Sequence, residues 1–112
     1  MFLKNNVSDS FKGVYHIDKK VNGKASWRNP TSAIWFMPEL NDWAIGDEQN
    51  IGTNHSVIES IDDQGDKSLF NVPHDKWQYY TSSNWDALTY QDLNWMVVQI
   101  GVIYIKCKGT CF

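Results

Sequence analysis

A chain of 112 residues and 13.0 kDa is the size of one domain built on a single core. Ten Lys and Arg stand against 13 Asp and Glu, a formal charge of −3, so the surface lacks the cationic excess that neutralising a run of phosphates requires, and nucleic acid is not an expected partner. Apolar residues at 42% and charged residues at 21% are ordinary globular values and exclude a disordered chain, whereas 14% aromatic residues, six of them Trp, are a clear excess.

In chain order, β-branched and aromatic residues come in short runs broken by Gly, Pro, Asn and Asp, which is the pattern of strands and turns. Residues 14–21 (VYHIDKKV) and 24–29 (KASWRN) flank Asn22-Gly23, a pair that tolerates the positive φ a type I′ turn needs at both central positions, and a two-residue hairpin is expected. Pro30 stops the second run and residues 33–37 (AIWFM) begin a third strand. Turn chemistry in Pro38-Glu39-Leu40-Asn41-Asp42 precedes a fourth, Trp43-Ala44-Ile45, closed by Gly46. A second hairpin is read from residues 57–61 and 67–72 around an acidic loop containing Gly65. In residues 77–95 the spacing of Trp85, Leu88, Asp92 and Trp95 also fits one short helix near 84–95, with Ser83 or Asn84 as its N-cap.

Residues 96–105 (MVVQIGVIYI) are apolar on both faces of a strand and are read as one C-terminal strand that needs cover on both sides or a partner. They are too short for a membrane helix, which takes about 20 residues. The expected fold is therefore all-β, an antiparallel meander or small sandwich with room for one short helix. The expected organisation is a single domain over 1–112, a β-rich module over 11–95 followed by an apolar strand and a Cys pair over 96–112.

The recurrence Gly13-Val14-Tyr15, Val21-Asn22-Gly23-Lys24, Trp27, Ala33-Ile34-Trp35 and Trp43-Ala44-Ile45-Gly46, continuing to Pro73, Trp77 and Tyr79, resembles a small Trp-rich module found in secreted and surface proteins of aquatic invertebrates and protists. The resemblance covers residues 11–95 and implies a compact β-rich fold outside the cell. It carries over no enzymatic activity and no assigned binding residues. The first ten residues contain no apolar leader segment, so an extracellular chain is expected here without its leader. Cys107 and Cys111, separated by three residues, suit a structural disulfide, and Asn6-Val7-Ser8 and Asn54-His55-Ser56 are N-glycosylation sequons.

Catalytic signatures are lacking. No P-loop, G-x-G-x-x-G, G-x-S-x-G or H-E-x-x-H motif occurs, and His16, His55 and His74 are isolated. Asp62, Asp63 and Asp66 around Gly65 lack the ligand alternation of a calcium loop and read as a solvated turn. The expectation is a non-enzyme with no cofactor and no metal. Two functions remain in view: an extracellular structural or assembly module whose partners are itself or neighbouring domains through the C-terminal strand, and a carbohydrate-binding module. Flat aromatic faces beside Asn, Asp or Ser are what a sugar ring stacks against, and Trp43, Trp85 and Trp95 are the candidates for glycan contact.

Overall fold

The computed structural model describes residue 11 and residues 13–73, 75–81, 84–88, 94–99 and 102–106, with side chains described up to residue 80 and at Trp85. Among the described residues, nine antiparallel strands form one sheet: β1 Gly13–Val21, β2 Lys24–Arg28, β3 Ser32–Met37, β4 Asp42–Asp47, β5 Ile58–Ser60, β6 Trp77–Thr81, β7 Asn84–Leu88, β8 Asn94–Gln99 and β9 Val102–Lys106. The order is β7-β6-β5-β4-β3-β2-β1-β9-β8, a seven-strand meander with a final hairpin added beside β1.

The first hairpin forms as expected. Asn22 and Gly23 take φ of 54° and 87°, and Asn22 also donates through Nδ2 to the carbonyls of Phe36 and Gly52, tying the turn to the sheet's centre. Four expectations are corrected. Residues 67–72 are not a strand: a 3-10 turn at Leu69–Asn71 takes their place, and β5 pairs instead with β6. Helix near 84–95 gives way to β7, which pairs residue for residue with β6 from Trp77↔Leu88 to Thr81↔Asn84. The tail is two strands rather than one, with β9 between β1 and β8, so the segment joins the same sheet as the β-rich module. Gly46 lies within β4 rather than after it.

The sheet is curled. Its end strands β7 and β8 are connected through residues 89–93, six Cα steps that reach at most about 23 Å, while nine flat strands would hold those edges about 38 Å apart. One face lines the inside of the curl. Register places Trp27, Ile34, Ile45, Ile58 and Tyr79 side by side across five strands, with the exposed Ile17 beside Trp27 at the β1 end of the row, and Phe36, Trp43 and Trp77 fill the next row. Leu69 and Val72, on the irregular segment after β5, pack against this inner cluster.

On the outer face, Ala33, Trp35, Met37 and Ala44 form a second cluster, packed by Val21 and Ile51. Residues 47–57 make the cover. Asp47 accepts from the Gln49 N–H to cap a 3-10 turn at Glu48–Asn50, and Trp35 Nε1 donates to the Thr53 carbonyl at 2.8 Å. Thus β3 is buried on both faces, which is why its run AIWFM shows no alternation.

Buried Asp42 and Ser60 satisfy one another within the core. Asp42, 8% exposed, accepts from Ser60 Oγ at 2.8 Å and from the Gln64 N–H at 2.9 Å, while Ser60 Oγ accepts from the Trp43 N–H. Burial raises the Asp42 carboxyl above its ordinary range and these hydrogen bonds draw it back. Tyr15, fully buried, donates to the Phe11 carbonyl at 2.8 Å, and burial pushes its hydroxyl up to about 12.

An unfolded tyrosine ionises near 10, so this raised value gives stability that is complete below pH 10 and lost as pH climbs toward 12. Across that window the loss amounts to about 2 to 3 kcal/mol. Urea denaturation at pH 8 to 12 is expected to show this fall in the wild type. Tyr15→Phe is expected to start about 1 kcal/mol lower and to fall less; parallel pH profiles for the two proteins would refute it.

Candidate functional site

Because side chains alternate along a strand, Tyr79 faces the inner core and Tyr80 faces out. Tyr80 pairs directly with Trp85 across β6 and β7, ring centroids 5.2 Å apart and planes at 57°, and both rings are open to solvent, 46% and 39% exposed. Aromatic pairs of this kind are usually interior, where area burial stabilises them most. Here the pair stands beside the covering loop, and Asn54, His55 and Ser56 complete a cleft of about 250 Å³.

The loop is held to the sheet on both sides of the cleft. Val57 N–H donates to the Ile45 carbonyl at 3.0 Å, and the Val57 carbonyl accepts from Tyr80 N–H at 2.8 Å. Ser56 Oγ donates to Glu59 Oε1 at 3.1 Å, and Gln78 Nε2 donates to the other oxygen of the same carboxylate at 2.9 Å. Asn54 Nδ2 donates to Glu39 Oε1, reaching the turn between β3 and β4. The result is an apolar wall of two rings opposite a polar wall of amide, imidazole and hydroxyl.

A second cleft of about 310 Å³ opens where Lys24 and Ala25 at the start of β2 meet residues 66–69. Trp27 and Trp43 form its floor, 6.3 Å apart, and Lys24 Nζ lies 4.9 Å from the Phe36 ring. Trp43 Nε1 donates to the Lys67 carbonyl at 3.1 Å. Trp27 Nε1 is buried and finds no hydrogen-bond acceptor among the described residues.

Of the sequence-derived candidates, Trp85 presents its ring to solvent. Trp43 is corrected: at 2% exposure it belongs to the inner core, because its neighbour Asp42 is itself buried against Ser60 and Gln64 rather than solvated. Trp95 is on β8, and its side chain lies outside the described residues, as do Asn6, Cys107 and Cys111. Asn54 is exposed and lines the cleft. Tyr80, His55 and Ser56 were not expected as its neighbours; the hint was the two-residue gap 82–83 between WQYYT and NWDAL, a hairpin spacing.

Among the described residues, no three His, Cys, Asp or Glu side chains gather where they could hold a metal, and no helix is long and apolar enough to cross a membrane. Comparison with known protein families, curated proteins and solved structures finds no match for this chain.

Proposed function

We propose that this protein is a non-enzymatic binding module of the extracellular kind that holds a glycan in the Tyr80–Trp85 cleft. The observation that carries the reading is the solvent-open ring pair 5.2 Å apart beside Asn54, His55 and Ser56. The faces of aromatic rings carry negative potential and attract the slightly positive C–H groups on the flat face of a pyranose, while amide and hydroxyl groups hold its equatorial hydroxyls. A volume near 250 Å³ is below the usual range for drug-sized ligands and suits one sugar unit of a longer chain.

Trp85→Ala is expected to abolish retention on the glycan that the wild type binds on a broad array, a loss of at least about tenfold in affinity, or about 1.4 kcal/mol. The side chain is already 39% exposed, so the far-UV circular dichroism of the variant should match the wild type. A wild-type protein that binds no glycan on the array would overturn the reading.

A second reading, self-association, draws support from the strand order: β8 and β7 end the sheet, and edge strands offer unpaired backbone groups to another copy. Its partner would be a second chain or a neighbouring domain. Light scattering on a sizing column across a concentration series tests it, and a monomer at all concentrations rejects it.

A further inference from the structure

The sequon Asn54-His55-Ser56 and the aromatic cleft are the same place. Asn54 is an exposed loop residue, and all three sequon residues line the cavity whose opposite wall is Tyr80 and Trp85. A sugar attached to Asn54 is therefore carried by a residue that lines the cleft the glycan-binding reading uses. Asn54 donates through its amide to Glu39, and a primary amide has two hydrogens, so a glycosylated Nδ2 keeps one N–H to donate.

We propose that Asn54 is an N-glycosylation site whose own first N-acetylglucosamine packs against Tyr80 and Trp85, so that glycosylation fills the cleft and closes it to external glycans. The inference rests on the reading of the cleft as a sugar site. In the modification, a bond forms between Asn54 Nδ2 and the anomeric carbon of N-acetylglucosamine, and the bond from that carbon to the pyrophosphate of a lipid-linked oligosaccharide donor breaks. The amide loses one proton to the transferase base, and the lipid pyrophosphate departs with the bonding pair.

Tethering raises the local concentration of the attached sugar to the millimolar range, above the concentration at which a free monosaccharide competes for a shallow single-unit site. The attached unit thus outcompetes free glycan for the two rings. The N-acetyl methyl adds apolar area for the rings to cover, and Ser56 and His55 lie within the same cleft to meet its polar groups.

The test secretes the full chain carrying Ser8→Ala, which removes the other sequon, behind a signal peptide from a eukaryotic cell, and compares it with the same chain exported to a bacterial periplasm that has no N-glycosylation, so that Asn54, His55, Ser56 and both rings are identical in the two proteins. Peptide mapping is expected to find Asn54 occupied in the first and bare in the second. Titration with N-acetylchitotriose, read by Trp fluorescence, is expected to show binding to the bare protein at least tenfold tighter than to the glycoprotein. Trimming the Asn54 glycan to a single N-acetylglucosamine should leave the cleft closed.

An unmodified Asn54, or equal affinity in the glycosylated and bare proteins, overturns the inference and leaves the glycan-binding reading standing. If the bare protein binds neither N-acetylchitotriose nor any array glycan, the reading of the cleft itself fails.

Discussion

Gly65→Ala is expected to destabilise the fold by about 3 kcal/mol and to lower the melting temperature by roughly 12 °C. The position is buried in the 3-10 turn Gln64–Asp66, and its backbone N–H donates to the Asn41 carbonyl at 2.7 Å. A Cβ added there would lie 2.4 Å from Asn41 Oδ1, 2.4 Å from the Phe36 ring and 2.7 Å from the Asn41 backbone carbon. The backbone atom cannot swing away as a side-chain tip can, and Phe36 is wedged against Trp43 at 5.9 Å between centroids. The turn must back out, and with it Gln64, whose N–H supplies one of the two hydrogen bonds to buried Asp42. That carboxylate then loses a donor in a site that already disfavours its charge. Thermal melts of the two proteins test this; a shift under about 3 °C would show that the turn relaxes freely.

Gly65 also marks the limit of what was legible in the chain. As a residue in DDQGD it reads as an open, acidic loop closing a hairpin, because the need for a glycine there is set by Asn41 and Phe36, more than twenty residues earlier. The same non-local packing draws residues 67–72 out of the sheet and leaves β5 to pair with Trp77–Thr81. The first hairpin was readable because Asn22 and Gly23 carry its turn within two residues.

Residues 77–95 show a different failure. Trp85 and Leu88 are three apart, a helical interval, yet they are strand residues, so that Trp85 meets Tyr80 and Leu88 meets Trp77. Single-segment periodicity sees the spacing and not the partner strand. The exposed face of Trp85 was therefore open to expectation from its polar neighbours, while the cleft around it was not, since Asn54–Ser56 arrive from a loop thirty residues away. Trp43 has polar neighbours too and is buried, because Asp42 is consumed by Ser60 and Gln64.

The loop that supplies the cleft's polar wall depends on one ring, which sets the second large expected effect. Trp35→Ala should cost about 4 kcal/mol, since a fully buried indole leaves a cavity that the surrounding sheet cannot close. Such a loss is a large share of the 5 to 15 kcal/mol typical of a small domain. Trp35 fills the outer cluster with Met37 and the two alanines, and its ring tip lies 3.1 Å from where a Cβ on Gly46 would be, so β4 is shaped to admit it.

Trp35→Phe separates packing from anchoring. It retains an aromatic ring under the loop but removes the N–H that holds the Thr53 carbonyl, at about 1 to 2 kcal/mol. Thr53 precedes Asn54 directly, so freeing its carbonyl loosens the wall facing Tyr80 and Trp85 before it unfolds the sheet. The expected result for Trp35→Phe is faster amide exchange in residues 50–56, with strands β3 and β4 still protected, and weaker glycan affinity, with the melting temperature lowered by only roughly 4 to 8 °C. Exchange that rises equally in loop and strands would mean that Trp35 supports the whole sheet and that the loop has no separate anchor. Unchanged exchange in both would mean that the Thr53 hydrogen bond contributes nothing to holding the cleft open.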